Sequence, residues 1–128
     1  MMYKYNNYIK LVMVCGVIIW SVYHFQGHIN EASVYDSEGN LKREGQVINN
    51  LNQGLWTWYD KNGKVILKGH FVDGKREGVW QTFDSTGNLV IESTYKNNLL
   101  NGVFKRYTNN VLVHEELYKD DRIISIAK

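Results

Sequence analysis

The strongest constraint on this chain is a period. Tyr35, Tyr59, Phe83 and Tyr107 stand 24 positions apart, and three more sets keep the same step: Gly39, Gly63 and Gly87; Gly54, Gly78 and Gly102; Trp56, Trp80 and Phe104. Agreement in register at so many positions points to tandem repeats, each a small unit that buries its surface only by stacking on the next. The units run 35–58, 59–82 and 83–106. A degenerate copy over 107–128 has lost the first Gly together with one residue and carries Ser125 at the second, as terminal capping copies commonly do.

Each unit holds two kinds of turn. Asp60-Lys61-Asn62-Gly63 and Asp84-Ser85-Thr86-Gly87 suit a type I turn closed by a bulge, since Asp bonds back to turn amides and Gly accepts the left-handed conformation. The second turn carries Asn49-Asn50, Asp73-Gly74 or Asn97-Asn98, residues tolerant of positive φ, and ends at Gly54, Gly78 or Gly102. Between turns lie short runs such as KVILKGHF and GVWQTF, rich in β-branched and aromatic residues, and the chain contains no Pro. The predicted fold is all-β: a single antiparallel meander with two strands per unit, preceded by an N-terminal hydrophobic helix.

Pairing Tyr59 with Val65 and alternating side chains outward predicts that Leu55, Thr57, Tyr59, Val65, Leu67 and Phe71 share a core face. Val79, Phe83, Leu89, Ile91 and Tyr95 extend it in the next unit. The opposite face is then expected to carry Trp56, Trp58, Trp80 and Phe104 among Lys68, Thr82, Glu92 and Thr94. This aromatic stripe reads either as a cross-strand ladder that stiffens the sheet or as a partner-binding surface.

The sequence resembles the MORN repeat in its variant form, through Gly63, Val65, Gly69, Phe71, Asp73-Gly74, Gly78 and Trp80 and their counterparts in neighbouring units. Ser93 and Asn98 replace glycines of that pattern. Such chains are grouped with YwqK-like antitoxins, so the resemblance implies neutralisation of a toxin. MORN repeats more generally imply scaffolding, dimerisation and lipid contact.

Ahead of the repeats, LVMVCGVIIWSVY from Leu11 to Tyr23 is apolar apart from Ser21 and follows Lys4 and Lys10. Extended from Tyr8 to Phe25 it predicts a short membrane span, with Trp20, Tyr23 and Phe25 at the interface in place of a small-residue cleavage site. Residues 1–30 are thus expected to form an anchor or uncleaved signal helix and 31–128 the repeat domain. The basic N-terminus is expected on the cytoplasmic side, with the repeats outside. A secreted form after signal cleavage is the alternative.

No chemistry-bearing constellation emerges. His24, His28, His70 and His114 lack a metal-binding spacing, and the one Cys, Cys15, lies in the apolar run, so neither a Cys-based zinc site nor an internal disulfide is expected. The 15 basic and 13 acidic residues intermingle, which speaks against a nucleic-acid stripe. The expectation is a non-enzymatic chain with no cofactor, metal or catalytic residues. It would serve as an interaction or scaffold subunit of a cell-envelope complex, with a protein partner or self-association. A toxin antagonist and a lipid- or glycan-binding module remain open readings.

Overall fold

The computed structural model describes residues 2–25 and 29–127, with side chains over 8–21 and 30–126. A helix, α1 (Met2–Phe25), is followed by nine strands: β1 (Ile29–Tyr35), β2 (Leu41–Ile48), β3 (Leu51–Tyr59), β4 (Val65–Val72), β5 (Lys75–Phe83), β6 (Leu89–Lys96), β7 (Leu99–Thr108), β8 (Val111–Lys119) and β9 (Arg122–Ala127). They form one antiparallel sheet in strictly sequential order. The all-β meander expected from the period is thus present, with two strands to each unit.

The turns explain the order. At the Asp turns, the Asp60 carboxylate accepts hydrogen bonds from the amides of Asn62 (2.8 Å) and Lys64 (2.9 Å), and Asp36 and Asp84 repeat the arrangement. Gly63 closes the turn at φ 77°. Three of these carboxyls are held below the ordinary carboxylate value by those bonds, Asp84 to about 2 because the Thr86 hydroxyl also donates to it. The alternate hairpins turn on residue pairs that both take positive φ, such as Asn49-Asn50 at 51° and 63° and Asn97-Asn98 at 51° and 74°. That is the two-residue geometry whose twist matches flanking strands. Gly54, Gly78 and Gly102 do not terminate those turns: they lie inside β3, β5 and β7 at φ 68°, 70° and 127°, where the ladder slips.

The two faces are assigned differently from the sequence expectation, for one physical reason. Tyr59 does pair with Val65, but the next pair is Trp58 with Leu67, so Ile66 is an extra residue. A bulge of this kind reverses alternation beyond it. Leu67 and Phe71 therefore lie on the tryptophan side, and the same shift between Thr82 and Phe83 moves Ile91 and Tyr95 there. Leu55 and Val79, expected in the core, are 50% and 47% exposed, whereas Trp56 and Trp80 are 2% and 6% exposed. The stripe of tryptophans is the closest thing this sheet has to a core. Thr82 shares its side, while Lys68, Glu92 and Thr94 lie on the other.

The hydrophobic helix forms as expected, but the transmembrane span does not stand. Among the described residues, no helix is long and apolar enough to cross a membrane. The run from Leu11 to Tyr23, apolar apart from Ser21, is shorter than the roughly 20 residues a bilayer requires, and Lys4, Asn6, Asn7 and Lys10 occupy the preceding turns. The described side chains of α1, from Tyr8 to Ser21, are all exposed. Membrane anchoring and a sided orientation of the repeats lose their basis with the span. The side chains of His24 and His28 lie outside the described residues.

Candidate functional site: the ring face

The face that carries the tryptophans is built by one device used repeatedly. Gly45 sits beneath Trp56, and a Cβ placed there would meet Trp56 Cδ2 at 2.4 Å; Gly69 sits beneath Trp80, where the same distance is 2.2 Å. Real side chains do not approach so closely, so only Gly lets the indole lie on the backbone. The ring then donates its Nε1 hydrogen to the carbonyl of the following residue, Trp56 to Gln46 (3.1 Å) and Trp80 to His70 (3.2 Å). On the side facing its tryptophan strand the ladder skips each glycine, and three residues, Gly54 to Trp56 or Gly78 to Trp80, stand opposite it.

In the next unit Ser93 takes the glycine position and Phe104 the ring position. Phe lacks both the second ring and the donor, and here the direct pairing of Ser93 with Phe104 is restored. Ser93 is 7% exposed. Sequence reading found Gly69 and Ser93 as pattern positions but not what rests on them. The signal was available in the same step of 24 that joins Gly45 to Gly69 and Ser93.

Around this frame the rings make a continuous cluster. Trp58 lies 6.0 Å from Trp56 and 5.5 Å from Trp80 between centroids, while Phe71 meets Trp80 edge-on at 5.0 Å and Trp56 at 6.2 Å. Tyr95 extends it from Trp80 at 6.1 Å, and Phe104 instead contacts Tyr118. Such edge-to-face and tilted contacts add about 0.5–1.5 kcal/mol per pair beyond area burial. Of the four stripe residues proposed from the sequence, Trp56, Trp58 and Trp80 come together, and Phe104 belongs to a separate ring pair.

Arginines cap the rings. Arg76 lies 4.0 Å above Tyr95 and 5.9 Å from Trp80, Arg43 is 5.7 Å from Trp56 and Arg106 is 6.0 Å from Phe104. Arg76 is also tied to the Asn98 carbonyl at 3.1 Å. In the last unit the face turns polar: Glu116 accepts from the Tyr118 hydroxyl (2.8 Å) and lies 3.0 Å from His114 Nε2. The Tyr118 hydroxyl, then His114, hold the Glu116 carboxyl below its ordinary value, and Glu116 raises Tyr118 in return.

The opposite face is a polar ladder. Glu44, Thr57, Lys68, Gln81, Glu92, Lys105 and Glu115 follow one another across successive strands, with no like charges directly opposed. Gln81 donates to Glu92 at 3.0 Å. Lys68 leans over Phe83 at 5.3 Å, beside a shallow groove lined by Tyr59, Lys64 and Val65. Cross-strand pairs of this type stabilise a sheet by a few tenths of a kcal/mol each, about 0.2–1, and leave the surface solvated.

Among the described residues no group of three or more His, Cys, Asp or Glu side chains could hold a metal ion. No curated protein and no solved structure matches the chain. The family model that does match is the MORN repeat variant, over residues 52–73 and 76–97. Each segment runs from the ring-bearing strand through the Asp turn to the glycine-bearing strand, so the matched stretch is a hairpin, β3–β4 or β5–β6. The two central hairpins of this sheet are thus similar in sequence to repeats of the MORN variant family.

Proposed function

We propose that the chain is a non-enzymatic interaction module, a scaffold subunit that docks a partner protein on its ring face. One observation carries this reading: the rings lie on a single-layer sheet, and no second layer is placed over them by the described strands. Of the described hydrophobic side chains only Trp56 and Trp80 are buried. Trp58, Leu67, Phe71 and Ile91 stay half-exposed around them. Contiguous apolar surface of this kind on a folded protein marks an interaction site. Support also comes from the two MORN variant repeats, since MORN repeats are generally modules for protein or lipid interaction. The scaffold role does not depend on the lost membrane span.

Two adjacent residues test the reading. Thr82 points to the ring face and Gln81 to the polar ladder. Tagged chain should bring down a stoichiometric companion, and Thr82→Lys should lose it while Gln81→Lys keeps it. A chain that purifies alone under gentle extraction, or a companion indifferent to Thr82→Lys, defeats the proposal.

A further inference from the structure

Following the hydrogen-bonded partners across the sheet, one row of the ring face reads Arg43, Trp58, Leu67, Thr82, Ile91, Arg106 on β2 to β7. Its middle four residues are half-exposed and apolar or nearly so, while both arginines are exposed. Each of the two guanidinium groups lies near a ring, Arg43 by Trp56 and Arg106 by Phe104. A guanidinium is planar and carries its N–H donors along its edge, where carboxylates are bound in bidentate fashion. Arg106 has an internal acidic neighbour: Glu116 is lowered in part by it, though Glu116 already accepts from Tyr118 and lies against His114. The sheet therefore offers an apolar stripe closed at both ends by a positive, planar group.

We propose that this row takes an extended acidic segment of a partner protein, laid across the strands, with carboxylates at its two ends and apolar residues between. The proposal rests on the ring face being the docking face. Five strand spacings separate Arg43 from Arg106, about 24 Å. An extended chain advances about 3.3 Å per residue, so the carboxylates should stand about seven residues apart. Shorter spacing would engage one arginine and strand the other. Anionic lipid, by contrast, has no fixed spacing to match and needs no apolar stripe between its charges.

Selection of a random twelve-residue peptide library displayed on phage against the immobilised full chain tests this directly. Enriched peptides should carry Asp or Glu at two positions about seven residues apart, with aromatic or aliphatic residues between. The double variant Arg43→Lys, Arg106→Lys keeps the charge but loses the planar fork, and a synthetic copy of the selected peptide should bind it roughly tenfold more weakly. Circular dichroism matching the parent would show that the variant folds. Apolar peptides without paired acids, or equal binding to the double variant, overturn this inference and leave the docking face standing. Absence of any enrichment beside retention on phosphatidylserine vesicles also overturns it, and loss of the companion in the Thr82→Lys experiment then reports on the docking face separately.

Discussion

The first two units and the third solve the same packing problem with different side chains. Over Gly45 and Gly69 the chain lays an indole, breaks the ladder and recovers the loss through the Nε1 hydrogen bond. Opposite Ser93 it sets a phenyl ring that needs no donor, pairs the two residues directly and moves the slip to Thr94. Floor and ring covary in size, so what repeats is a fixed thickness of packing, with the amino acids free to change as long as their sum is kept. The consequence is a face whose middle is aromatic, with two buried indoles among half-exposed rings, and whose far end is charged, around His114 and Glu116.

The comparison breaks most visibly at the rings. Trp80→Ala should destabilise by about 3–5 kcal/mol, the range for deleting a buried aromatic, whereas Phe104→Ala, which empties a half-exposed site, should cost less in urea unfolding followed by circular dichroism. Equal losses would mean that the indole floor contributes nothing special. Next in size, Gly69→Ala should cost about 1–3 kcal/mol by overpacking against Trp80. The pair Gly69→Ser with Trp80→Phe copies Ser93 and Phe104 into the central unit, and a double-mutant cycle should return a favourable coupling of about 1 kcal/mol. Strict additivity would remove the size argument.

Smaller effects belong to the turns, which the units share. Gly63→Ala places a Cβ at φ 77° and should cost roughly 1–2 kcal/mol, measurable as a lower urea midpoint. The smallest is a pH effect at Asp84, whose folded carboxyl sits at about 2 against an ordinary 3.8. A depressed pKa contributes stability above 3.8 that is lost as pH falls towards about 2, because protonation then opposes the folded turn. Acid titration of Asp84→Asn should lack that portion of the loss. Thr86→Ala should make Asp84 resemble Asp60, which has no hydroxyl donor at the corresponding place.

Much of this architecture is legible in the sequence. The step of 24 located the hairpins, and Asp-x-x-Gly and the Asn-Asn or Asp-Gly pairs named their turns correctly because those residues have few other reasons to recur. The faces were not legible. Tyr59 pairs with Val65 as expected, yet the residue inserted at Ile66 lies one position beyond the turn and carries no compositional mark, being as apolar as its neighbours. One unpaired residue was enough to move Leu67, Phe71, Ile91 and Tyr95 across the sheet. Gly54, Gly78 and Gly102 misled for a related reason: a positive-φ glycine reads the same whether it closes a turn or bends a strand. In the N-terminal segment, composition foretold a helix but overstated its apolar reach.

Because every strand pairs only with the strands next to it in the chain, the sheet is written like a line of text, in which each passage touches only those close by. A duplicated hairpin could be spliced in or cut out at any Asn-Asn turn without rethreading what lies on either side. Each such edit would change the length of the working surface by two strand spacings, about 10 Å, so the reach of this protein can be retuned by copying a single paragraph of its gene.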